Sequence, residues 1–243
     1  MPDGWQRRLQ RVTFLVGVVG FGTSLVGGLA LLGATGQFPG VAPDPLLRAR
    51  ALLRRGQTKA AIAEYSSAAA IAPDFDALLE LAFAQAQAGD PIGEGEAYRR
   101  ALSLRPGAPS VRLGLGWALA KQGRLDEAAS WFQEALELEP GSGMAHAGLG
   151  EVRLAQRKLD LAIASLSRAA ELAPDSVAVH NNLGQAFLLS GRAREAVQQF
   201  ETAYRLAPEP QLLASLRRAQ EMESAPQPSS ANGPARAPSG RPR

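Results

Sequence analysis

The chain of 243 residues is long enough for one or two ordinary domains, and without a cysteine it can build no disulfide, thiolate metal site or cysteine nucleophile. It is rich in Ala, Leu and Gly and poor in β-branched residues, a composition that suits helices. The net charge of +3 is carried by the two ends, Arg7, Arg8 and Arg11 against Asp3 at the front and Arg236, Arg241 and Arg243 without an acid at the back. The stretch between them is slightly acidic, so the basic face that a nucleic-acid binder needs is not expected.

In chain order, residues 1–11 are a short basic segment, and residues 12–32 read VTFLVGVVGFGTSLVGGLALL. As a helix that run is about 31 Å long, which matches a bilayer core of about 30 Å. No charge falls between Arg11 and Asp44, and a transmembrane helix acting as a signal anchor is expected. The alternative is a cleaved export signal with a small-residue site at Ala34–Thr35–Gly36, but signal cores are usually shorter than this run. The arginines in front of the segment put the N-terminus in the cytoplasm and the rest of the chain on the far side of the membrane, the periplasm if the host is a bacterium. Gly20, Ser24 and Gly28 share one face of this helix, where small residues let a second membrane helix approach closely. Residues 33–41 are a Gly- and Pro-containing linker.

From residue 42 the sequence repeats. Pro106, Pro140, Pro174 and Pro208 are thirty-four residues apart, and Pro73 stands thirty-three before Pro106. Five residues before each proline is Ala68, Ala101, Ala135, Ala169 or Ala203, and eight before is Tyr65, Tyr98, Phe132, Leu166 or Phe200. Ala61, Ala128, Ala162 and Ala196 keep the same phase, as do the doublets Leu115–Gly116, Leu149–Gly150 and Leu183–Gly184. Within the unit 107–140, apolar residues recur at three and four: Leu113, Leu115, Trp117 and Ala118, then Ala128, Trp131, Phe132 and Ala135. That is the period of a helix, broken once at Gly123, which can take the positive φ that ends the first helix. One such helix pair cannot bury its apolar face alone, so the pairs are expected to stack into a continuous core.

These positions resemble the tetratricopeptide repeat, a helix–turn–helix unit of thirty-four residues. The resemblance covers five units, 42–73, 74–106, 107–140, 141–174 and 175–208. It implies an all-α fold, a right-handed superhelix whose concave groove is lined by the first helix of each unit, preceded here by the transmembrane helix. Residues 209–223 follow as a capping helix with Leu212, Leu213 and Leu216 on one face. Residues 224–243, made of Pro, Ser, Gly, Ala and Arg, form a basic tail with too little apolar surface to fold.

Two units depart from the pattern. In the second, Glu94 stands where the others have alanine, in a close helix crossing where a carboxylate is costly unless it reaches water or a partner. The missing residue of this unit and the nearby Gly93 and Gly95 favour a shortened, displaced turn over the inter-helix connection, with a local hinge as the other reading. In the fourth, Arg157 replaces the glycine of the turn.

No catalytic motif, phosphate loop or cofactor signature is present, and an enzyme is not expected. His146 and His180 are repeat equivalents, and no cysteine or carboxylate pair completes a metal site around them. By the resemblance, the ninth residue of each first helix faces the groove: Arg50, Phe83, Trp117, Glu151 and Gln185, with Lys121, Asn181 and Asn182 nearby. Some relatives grip a peptide carboxylate with a Lys/Asn clamp, but the early units lack that pairing and the function is not carried over. Phe83 and Trp117 among polar neighbours suggest either a binding hot spot or internal packing. The expected function is therefore a membrane-anchored scaffold that binds a segment of a partner protein, with two alternatives: an accessory subunit of a multi-protein enzyme machine, or a cleaved, soluble exported protein.

Overall fold

A computed structural model describes residues 44–225. They form eleven α-helices and no strand: α1 (Pro45–Arg54), α2 (Thr58–Ile71), α3 (Phe75–Gln87), α4 (Pro91–Leu104), α5 (Pro109–Lys121), α6 (Leu125–Leu138), α7 (Gly143–Ala155), α8 (Leu159–Leu172), α9 (Val177–Leu189), α10 (Ala193–Leu206) and α11 (Pro210–Ser224). Each odd helix from α1 to α9 packs against the even helix that follows it, and each even helix against the next odd one, so the chain advances as five stacked pairs closed by α11. The expected helix of residues 12–32, with Gly20, Ser24 and Gly28, lies outside the described residues. No helix among the described residues is long and apolar enough to cross a membrane.

Local signals start and stop these helices. The side chains of Asp44, Asp74, Ser142 and Ser176 accept from backbone N–H groups in the first turns of α1, α3, α7 and α9. Proline opens α1, α4, α5 and α11, where its missing N–H costs no helical bond. Inside each pair the turn needs one residue with positive φ, which is glycine in four units, as at Gly123 with φ 76°. In the fourth unit Arg157 takes that conformation itself, φ 61°, at a cost that glycine avoids.

The core is a row of knobs set between helices. Phe132 on α6 is fully buried, flanked by Gly116 on its own first helix and Gly148 on the next. A Cβ added at Gly148 would come within 2.6 Å of the ring, and one at Gly116 within 2.8 Å. Tyr98 presses on Gly114 in the same way, Leu166 on Gly150 and Phe200 on Gly184. Small residues in the first helices therefore exist to admit large ones from the second. Leu212, Leu216 and Ala219 of α11 are buried, the last two in the core of the final pair.

The second unit differs from its sequence reading. Its turn is not displaced. Gly89 has positive φ, φ 71°, and Asp90 N donates to Gln85 O at 2.9 Å, the same bond that Arg124 makes to Leu119 at 3.0 Å. The missing residue lies earlier, between α2 and α3, where three residues, Ala72, Pro73 and Asp74, connect helices that four residues join between α4 and α5. Asp74 caps α3 immediately after Pro73 and so shortens the link. Glu94 thus occupies the crossing position itself, the register of Ala128, and Gly93 and Gly95 do not replace it.

Candidate functional site

Consecutive first helices touch one another directly, α5 with α7 and α7 with α9. The residues expected to bind a partner all lie on these first helices, α1, α3, α5, α7 and α9.

At the N-terminal end, Arg50 of α1 reaches across to Glu80 of α3. Its Nε donates to Oε2 at 2.9 Å and to Oε1 at 3.0 Å, and a second guanidinium nitrogen completes a bidentate pair. The pair holds the Glu80 carboxyl below its ordinary range and pushes the Arg50 guanidinium up. Beneath it lies Tyr65, fully buried, whose hydroxyl is pushed up to about 12, first by burial and then by hydrogen bonding to Glu80. This network walls one side of an open recess of about 470 Å³. Leu53, Leu79 and Phe83 supply its apolar surface, and Arg54 completes the rim. Phe83 is 54% exposed.

The two aromatic candidates part company here. Trp117 holds the same register as Phe83, but its ring meets Phe132 edge-on, with centroids 5.0 Å apart and an angle of 69° between planes. It is half-buried and belongs to the central core, so packing accounts for it. Phe83 faces solvent.

Lys121 is also committed. Its Nζ donates to Glu94 Oε2 at 3.0 Å. This is the partner that the carboxylate of Glu94, only 4% exposed, requires at its crossing. Lys121 therefore ties α5 to α4.

Towards the C-terminal end the lining turns polar. Asn182 Nδ2 donates to Glu151 Oε2 at 3.4 Å across the α7–α9 interface. Burial by surrounding groups pushes the Glu151 carboxyl up, and the bond from Asn182 opposes this only partly. Asn181 and Gln185 line a cleft of about 350 Å³ shared with Gln211 and Ser215 of α11. Gln185 also borders a second cleft, of about 400 Å³, with Leu188, Leu189, Arg218 and Met222. The structure thus groups Arg50 with Phe83, and Glu151 with Asn182, and sets Trp117 against Phe132 and Lys121 against Glu94. Sequence reasoning passed over Glu80, Arg54 and Leu79. The register offered a signal: Glu80 stands where the next units have Gly114 and Gly148, and Asn182 where α9 again carries a polar group.

The two histidines serve the connections. Nε2 of His146 lies 3.1 Å from the Pro140 carbonyl oxygen, and Nε2 of His180 lies 2.9 Å from that of Pro174. Each staples the loop that precedes its own helix. Among the described residues no three His, Asp or Glu side chains gather as metal ligands would.

The tetratricopeptide repeat profile matches residues 46–109, 95–143 and 148–209, well over half of the chain. Among solved structures, TTC0263, a thermophilic tetratricopeptide protein of Thermus thermophilus, is 25% identical, with 72% of this chain and 97% of that chain covered and a TM-score of 0.56. MamA of Desulfovibrio magneticus is 21% identical over 69% of this chain and 97% of that one, with a TM-score of 0.62. YrrB, described as a tetratricopeptide protein with an unusual peptide-binding site, is 17% identical over 78% and 97%, with a TM-score of 0.59. No match was found among curated proteins. The repeat spacing, the knob-and-glycine packing and the profile agree, and the chain belongs to the tetratricopeptide repeat family.

Proposed function

We propose that this protein is a non-enzymatic scaffold, held at a membrane by residues 12–32, that captures a segment of a partner protein along its first-helix face and assists assembly of an envelope or membrane complex. One observation carries the binding part of the reading. Phe83, a large aromatic side chain on α3, stands exposed over an apolar recess whose rim carries the charged groups of Arg50, Arg54 and Glu80. An exposed aromatic anchor with a polar surround is the composition of an interaction hot spot. The peptide-binding site named for YrrB supports a similar use of the fold.

The membrane part rests on the length and apolarity of residues 12–32 and on the arginines before them, with the repeats on the non-cytoplasmic side. Holding the scaffold on a surface raises the effective concentration of a partner that shares it. The test is recovery of partners from detergent extract with wild type and with a Phe83→Ala/Gln185→Arg double variant, both sites being solvent-exposed. Loss of a specific partner is expected, and unchanged recovery would sink the groove assignment. Intact mass of the membrane-derived protein checks the anchor: loss of about the first thirty-six residues means a cleaved, exported protein.

A further inference from the structure

We infer that the recess between α1 and α3 receives a large apolar side chain of a partner segment that carries a carboxylate within a residue or two of it, the carboxylate pairing with Arg54. This rests on the groove reading above and gives it a chemistry.

The volume of about 470 Å³ falls within the range of ligand pockets, roughly 300–1,000 Å³. Leu53, Leu79 and the exposed ring of Phe83 give it apolar walls, so the group that gains most by entering is apolar. The charges around it decide the rest. Four arginines lie on or just after α1, against Asp44 at its start. Arg48 is taken by Glu64 at 2.9 Å, and Arg50 by Glu80. Glu80 is likewise committed, to Arg50, so the pair offers a partner neither sign of charge. Among the described residues Arg54 and Arg55 enter no ion pair and are exposed, and of the two only Arg54 lines the recess. The recess therefore presents one open cation beside an apolar floor. An acidic segment complements it, and a basic one is repelled. An extended chain advances about 3.3 Å per residue, which keeps the carboxylate within one or two residues of the anchor side chain.

The probe is a fluorescein-labelled nonapeptide of Gly and Ser with a central Leu-Glu, compared by anisotropy with Leu-Gln, Leu-Lys and Ser-Glu versions. The protein is the full-length chain in detergent, as wild type, Arg54→Gln and Phe83→Ala. Both positions are exposed, and far-UV circular dichroism verifies the fold. Wild type is expected to prefer Leu-Glu over Leu-Gln and over Ser-Glu by about tenfold, the worth of one charge-assisted hydrogen bond or one buried side chain. Arg54→Gln should erase the preference for Glu over Gln while keeping that for Leu over Ser, and Phe83→Ala should do the reverse. Equal binding of Leu-Gln or Leu-Lys, an undiminished Glu preference in Arg54→Gln, or no binding of any probe overturns the inference. So does sedimentation with phosphatidylglycerol vesicles that Arg54→Gln weakens, which would make Arg54 a lipid contact. The groove reading is judged apart from this, by photo-crosslinking from position 185 in cell extract, where the recess plays no part.

Discussion

Lys121 and Glu94 allow the sharpest quantitative test. Glu94 is 4% exposed, and its carboxylate is held by an ammonium 3.0 Å away whose side chain remains 52% exposed. Removing one partner of a fully buried pair costs about 3–5 kcal/mol, whereas a surface pair is worth about 0–1 kcal/mol. With one partner buried and the other half in water, Lys121→Ala should cost about 1–3 kcal/mol, because Glu94 is left desolvated without a counter-charge. Glu94→Ala restores the alanine that Ala61, Ala128, Ala162 and Ala196 supply at the same register, and removes the need for the lysine. It should lie within about 1 kcal/mol of wild type, and Lys121→Ala added to it should change little. The four proteins form a double-mutant cycle. Urea unfolding, followed by circular dichroism, reads the whole array, and Trp117 and Trp131 report the third unit once Trp5 is replaced by Phe in all four proteins. If Lys121→Ala unfolds at the wild-type midpoint, or if the double variant is as weak as that single one, the pair does not stabilise the crossing and Lys121 returns to the list of groove residues.

Further outcomes follow from the same geometry. Arg157→Gly should stabilise by about 0.5–1 kcal/mol, the left-handed penalty less the greater unfolded-state freedom of glycine, and Gly123→Arg should destabilise comparably; chemical denaturation reads both. Gly148→Ala should cost about 1–3 kcal/mol by driving a methyl against the Phe132 ring, and Phe132→Leu should relieve part of that cost in the double variant. Tyr65 is held protonated in the folded state, its hydroxyl raised from 10 to about 12. Its contribution is therefore complete below pH 10 and lost as pH rises towards 12, so a pH series of melting temperatures should show an alkaline decline that is shallower in Tyr65→Phe.

The repeat was legible because it is written many times over. Five prolines, five alanines and five large residues in one phase fix the helices and their pairing with no long-range information. What escaped was whatever depends on a neighbour far along the chain. The deletion between Pro73 and Pro106 has no unique position in the sequence, and two conspicuous glycines drew it to the wrong loop. Its true mark is physical: Asp74 can start α3 directly after the proline. Phe83 and Trp117 are indistinguishable by register. They separate because Trp117 meets the ring of Phe132, whereas Phe83 opens onto the recess. Lys121 looked free because Glu94 stands twenty-seven residues away, on a helix already judged irregular.

These commitments narrow where specificity can reside. Positions that hold the solenoid are repeated from unit to unit, as with Ala128, Phe132 and Ala135. The position four residues before the end of each first helix is not: it reads Arg50, Phe83, Trp117, Glu151 and Gln185, five different chemistries at one register of a fixed frame. Neighbouring helix axes lie about 8–10 Å apart, and an extended segment advances about 3.3 Å per residue, so a chain lying along the first helices would meet a new unit about every three residues. Trp117 packs on Phe132, and Arg50 is paired with Glu80. On the groove reading proposed above, the informative contacts then fall at two separated stations: the apolar recess at Phe83, and the carboxylate and amides at Glu151, Asn182 and Gln185. A partner that reaches only one of them keeps only that part of the discrimination. Spacing between anchor and polar residues in the segment, and not composition alone, should therefore set affinity.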